Sequence, residues 1–99
     1  MTIRKIILHS EARLEIIAAY DYIELQRSGY GEAFTEELEN AFTQLRQYPL
    51  SSPKVYKQMR EYYLHRFHYM IIYEINNTHI EIFHIIHTSR HPKLRYRKK

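Results

Sequence analysis

Apolar and β-branched residues are densest between Tyr62 and Pro92. One run spans Tyr69 to Ile75, stops at Asn76-Asn77-Thr78, and resumes from Ile80 to Ile86. Two such runs around a short polar break read as a β-hairpin, with asparagine at the turn because it tolerates positive φ. Alternation sets Tyr69, Ile71, Tyr73 and Ile75 against Met70, Ile72 and Glu74. In the second strand it sets Ile80, Ile82, His84 and Ile86 against His79, Glu81, Phe83, Ile85 and His87. Apolar residues on both faces argue that the hairpin is central in a sheet. Glu61 to Phe67 also alternates, Tyr63, His65 and Phe67 against Tyr62, Leu64 and Arg66, and is predicted to lead into the hairpin as another strand.

The first half of the chain has a different period. A β-prone segment, Thr2 to His9, comes first, and Ser10 is placed to cap a helix with Glu11 in its first turn. Ala12, Ile16, Ala19, Tyr20 and Ile23 recur at helical spacing, but Leu14, Ile17, Ala18, Tyr22 and Leu25 extend the apolar surface beyond one stripe. This helix is therefore expected to touch more than one neighbour, or a partner. Ser28-Gly29-Tyr30-Gly31 holds both glycines and ends it. From about Glu32 to Tyr48, Phe34, Leu38, Ala41, Phe42 and Leu45 form one apolar face opposite Glu36, Glu37 and Glu39, and Pro49 closes the helix. A loop at 49–53 and a short extended piece at Lys54–Lys57 follow. The predicted order is β-α-α-β-β-β, an α+β fold with a helical hairpin on one face of an antiparallel sheet.

At 99 residues, with no internal repeat and no dividing linker, the expectation is one domain over residues 1–99. There is no cysteine, which excludes disulfides, zinc–thiolate sites and a thiol nucleophile, and fits a cytoplasmic protein. No run approaches the ~18 apolar residues of a membrane span, and Ile6-Ile7-Leu8 is too short for a signal peptide core. Ten tyrosines and no tryptophan suit half-buried sheets and binding surfaces.

Charge is segregated along the chain. Glu11 to Gln47 carries eight acids and three bases, whereas Arg90 to Lys99 carries six bases and no acid. Arg60, Arg66, Arg90, Lys93, Arg95 and Arg97 are the candidates for a basic patch that grips phosphates or an acidic protein. His65, His68, His84 and His87 lie in or beside strands, but no acid or thiolate is spaced with them as a recognised ligand set, so neither a metal nor any other cofactor is expected. His87, Arg90, His91 and Tyr96, with Arg66 in the sheet, offer an acid–base and cationic set of the kind RNA cleavage needs. The plainer reading of the same residues is a basic tail contacting an acidic partner.

The sequence resembles the RelE/ParE superfamily of toxins from bacterial toxin–antitoxin pairs. The likeness rests on the order and spacing of HSEARLEIIAAYDYIE, GEAFTEELENAFTQLRQYPLSSP, HRFHYMIIYEI and IEIFHIIHTSRHP. It implies a sheet packed on a helical hairpin and an antitoxin as partner. RelE-like members cut messenger RNA on the ribosome, whereas ParE-like members inhibit DNA gyrase and trap cleaved DNA. A RelE-like pattern would carry an arginine where Met70 stands and lysines near Tyr63 and Leu64. Arg90 and Tyr96 fall near a late catalytic arginine and tyrosine of that branch, with Arg66 and His87 as further members. The HRFHYMIIYEI and HTSRHP segments look more like the ParE branch. The resemblance thus favours a gyrase-inhibiting toxin that is not an enzyme. A ribosome-dependent endoribonuclease and a non-toxic antitoxin-binding module are the alternatives.

Overall fold

A computed structural model describes residues 4–89 and Tyr96. Its elements are β1 (Lys5–Leu8), α1 (Ser10–Gln26), α2 (Tyr30–Gln47), β2 (Lys54–Tyr56), β3 (Met59–Tyr63), β4 (Tyr69–Ile75) and β5 (His79–His87). The sheet order is β1-β5-β4-β3-β2. β4 and β5 are central, as their two-faced apolarity requires. β1 pairs parallel with β5, Lys5 opposite His79 through Leu8 opposite Ile82, and the other pairs are antiparallel. The α+β class and the helical hairpin on one face agree with the sequence. The short piece after Pro53 is a strand in its own right, paired with β3.

The helices cover one face of the sheet. Ala12, Ala19 and Ile23 of α1, and Phe34, Leu38, Ala41 and Leu45 of α2, pack on Ile71, Tyr73, Ile80, Ile82 and Ile85. A Phe, Ile or Leu side chain buried this way contributes about 1.5–3 kcal/mol. The opposite face has a smaller cluster of Met59, Met70, Ile72, Phe83 and Ile86, against which Tyr96 packs. Tyr73 is wholly buried and donates its hydroxyl to the Pro49 carbonyl (3.0 Å), tying the end of α2 to the sheet. Burial pushes the Tyr73 phenol above its ordinary range.

Five local expectations are corrected. Ser10 is the first helical residue and His9 the cap, without a side-chain bond; the His9 backbone stays extended because its N–H continues the sheet to the Ile82 carbonyl (3.0 Å). The second helix starts at Tyr30, behind Gly29 at φ +92°. Its free N–H groups are met by Glu24, whose carboxylate accepts from Gly29 (3.0 Å) and Gly31 (2.8 Å). Those bonds, Gly29's first, hold the Glu24 carboxyl below the usual carboxylate range. The hairpin turn needs no positive φ at asparagine: Asn76 Oδ1 accepts from the backbone N–H groups of Thr78 (3.0 Å) and His79 (2.9 Å) and builds the turn with its side chain. The fourth correction is one of register and concerns β5. Tyr73 faces Ile82 and Ile72 faces His84, so the register shifts by one residue at Phe83. Beyond this bulge the alternation is reversed: Phe83 keeps the face opposite Ile82, while Ile85 turns to the helices and Ile86 to the far face. Finally, β3 begins at Met59 and ends at Tyr63, which moves Leu64 to His68 into a loop.

Candidate functional surface

That loop repositions Arg66. It does not lie in the sheet, as the alternation suggested, but after β3, where the Glu37 carboxylate of α2 accepts from the His65 and Arg66 backbone N–H groups (2.6 and 3.0 Å). The Arg66 guanidinium lies over the rings of Phe67 (5.6 Å) and Tyr30 (5.9 Å), and the side chain is exposed. It borders a groove of about 560 Å³ shared with Glu36, Glu37, Asn40, Gln44, Tyr62 and His65. Charge there is mixed, because α2 brings its acids to the same groove.

His87 ends β5 on the helix side. Its ring meets the edge of Tyr69 (5.3 Å), and its Nδ1 is 2.8 Å from the Ser89 hydroxyl. It lines a separate hollow of about 300 Å³ with Glu15, Ala18, Tyr22 and Tyr69.

Tyr96 is on the other side of the sheet. It stacks on Tyr56 (4.9 Å between centroids, 18° between planes) and donates its hydroxyl to Glu61 Oε2 at 2.6 Å. Glu61, 8% exposed, also accepts from the Tyr63 hydroxyl (2.9 Å). This clasp of two tyrosines on one carboxylate was not anticipated. Its sequence trace is Glu61 itself, an acid among the bases of 54–66.

Arg66, His87 and Tyr96 therefore line three different cavities, and the sheet stands between Tyr96 and the other two. Met70, where a RelE-like pattern wants a cation, is wholly buried among Ile72, Phe83 and Ile86. Arg60 is used internally: its guanidinium donates to the Ser52 carbonyl and closes the loop after Pro49. Arg90, His91, Lys93, Arg95 and Arg97 lie outside the described residues.

A different surface stands out on α1. Leu14 (66% exposed), Ile17, Tyr22 and Leu25 (86%) present large apolar side chains outward, the second apolar stripe visible in the sequence. No helix of the described residues is long and apolar enough to cross a membrane. Histidines recur in ion pairs near β5. His9 Nε2 lies 2.8 Å from Glu81 and His79 Nε2 3.2 Å from it, while His84 Nδ1 lies 3.2 Å from Glu15.

Fold and surface together are those of a small toxin of the RelE/ParE superfamily, a helical hairpin on a sheet without an assembled nuclease set among the described residues. The family model for the ParE toxin of the type II toxin–antitoxin system parDE matches residues 6–92, and the chain belongs to that family. It is the toxin component, of ParE type, of such a system. Among solved structures the chain is similar to the chromosomal ParDE toxin–antitoxin system from P. aeruginosa, with a TM-score of 0.76 and 15% identity over 86% of this chain and 96% of that one. At that identity the likeness establishes the fold. No curated protein matches.

Proposed function

We propose that this ParE-family toxin arrests growth by inhibiting DNA gyrase in the cytoplasm, and that a cognate antitoxin keeps it inactive. The observation that carries the reading is the family match across residues 6–92. Side-chain geometry agrees with it. Met70 is core, Tyr96 donates its hydroxyl to Glu61, and among the described residues Arg66, His87 and Tyr96 do not converge. Inhibition of this type is a binding activity, with no bond made or broken by the toxin.

The antitoxin is proposed to cover the outer stripe of α1. Leaving Leu14, Ile17, Tyr22 and Leu25 in water forgoes burial worth about 25 cal/mol per Å², which an apolar helix or strand of a partner can recover. Arg66 and the C-terminal cations would steer an acidic partner and fix its register, with smaller effects on affinity. The test is a supercoiling reaction with purified gyrase, relaxed plasmid and increasing toxin. Supercoiling should fail in proportion to toxin and return when antitoxin is added. Unchanged supercoiling at a large excess of toxin, with growth arrest retained in cells, would refute the target. No arrest and no inhibition, with antitoxin binding intact, would identify a binding module.

A further inference from the structure

Beyond the β1–β5 pairing, which ends at Leu8 opposite Ile82, α1 lies beside β5. There Glu11 and Glu15, one turn apart on α1, meet His84 of β5, and one ligand atom from each lies within 4.8 Å of the other two. We propose that these residues form a divalent transition-metal site, suited to Zn²⁺, that clamps the first helix to the central sheet.

Three observations carry the proposal. The first is spacing. His84 Nδ1 lies 3.2 and 3.3 Å from the two Glu15 oxygens, nearly equidistant. Two ligands bonded tetrahedrally to one Zn²⁺ stand about 3.3 Å apart, which is the spacing at Glu15 and His84. The second is support behind the ligand. The Ile85 backbone N–H donates to Glu15 Oε1 (3.0 Å) and fixes the carboxylate in place, as the outer partners of metal ligands do. The third is the ligand set. A wholly buried imidazole and two half-buried carboxylates on rigid elements combine a nitrogen donor with oxygen donors, a mixture that suits zinc better than calcium or magnesium. Coordination through Nδ1 places the His84 proton on Nε2. Water supplies the fourth ligand, reached past the half-buried Glu11.

The site is independent of gyrase inhibition and is tested on purified toxin. Co²⁺ serves as a spectroscopic probe, and thermal unfolding with and without Zn²⁺ measures linkage. One equivalent of Co²⁺ should bind saturably with visible ligand-field bands, and Zn²⁺ should displace it and raise Tm in a concentration-dependent way. Glu11→Gln, which keeps the side chain's size but removes its charge, should weaken binding tenfold or more. Glu15→Gln, which retains an oxygen for the Ile85 N–H, should weaken it further. Glu81→Gln, at the other histidine pair, should leave binding unchanged. Absence of saturable binding, or binding that survives both Glu11→Gln and Glu15→Gln, would overturn the proposal and leave Glu15 and His84 as a simple hydrogen-bonded pair.

Discussion

The two faces of the sheet are built on different principles. The helix face is a thick apolar core in which Phe34, Leu45, Ile71, Tyr73, Ile80 and Ile82 are all wholly or almost wholly buried. Among the described residues the far face has five buried apolar side chains, bordered by polar groups: Glu61 with Tyr63 and Tyr96, and Glu81 with His9 and His79. The first face holds the fold. The second is finished by side-chain hydrogen bonds and by Tyr96, contributed from beyond β5. Stability should therefore concentrate on one side and sensitivity to pH and to C-terminal changes on the other.

The largest effect is expected from Phe34→Ala. Removing a fully enclosed ring should cost about 3–5 kcal/mol in urea unfolding. Met59→Ala on the far face should fall near the low end, about 2 kcal/mol, because that cluster is thin enough to collapse. Equal losses at the two positions would erase the distinction between the faces.

Gly31→Ala comes next and sharpens the helix side. A Cβ there would stand 2.7 Å from Tyr20 Cζ and 2.9 Å from Glu24 Oε1. Tyr20 and Glu24 would have to yield, and Glu24 would leave the amides it caps. The expected cost is about 1–3 kcal/mol, measured by the shift in the urea midpoint. Unchanged stability would mean that the Glu24 cap contributes nothing.

Tyr96→Phe removes one hydroxyl from Glu61 and keeps the ring on Tyr56. It should cost about 1.5 kcal/mol, the scale of a hydrogen bond to a charged group. Stability identical to that of the unaltered protein would mean that Tyr96 does not close the far face.

The smallest effect is a pH dependence at Glu81. Its carboxyl lies below the usual range, first because His9 donates to it and then because His79 does. A carboxyl with a depressed pKa in the folded state contributes stability above its unfolded value. That contribution is lost as pH falls through the folded value, below the usual carboxylate range near 4. Glu81→Gln should flatten this acid limb of the stability curve. A curve of unchanged shape would remove the far-face network from the acid response.

Much of the helix face was legible in the sequence. The stripe Phe34, Leu38, Ala41 and Leu45 and the alternation of Ile71 and Tyr73 against Met70 and Ile72 are short-range patterns, and the packed core follows them. The far face was less legible because its features depend on partners distant in sequence. The bulge opposite Tyr73 exchanges the faces of Ile85 and Ile86, yet a period of two looks the same before and after it. Tyr96 meets Glu61 across 35 positions, and Glu15 meets His84 across 69. Alternation that runs on past Tyr63 predicts a strand through Arg66, but Glu37 captures the backbone there and the chain forms a loop. The cations after Ser89 belong to the candidate surface by their charge pattern alone.

The most direct test of a gyrase-directed toxin without nuclease activity is a parallel assay. Purified protein is titrated into gyrase supercoiling reactions and, separately, into ribosomes programmed with a messenger, alongside the Arg66→Ala/His87→Ala double variant. The expected result is loss of supercoiling with cleaved DNA trapped on gyrase, and an intact messenger throughout. Messenger cleavage that the double variant abolishes, with supercoiling unaffected, would contradict it.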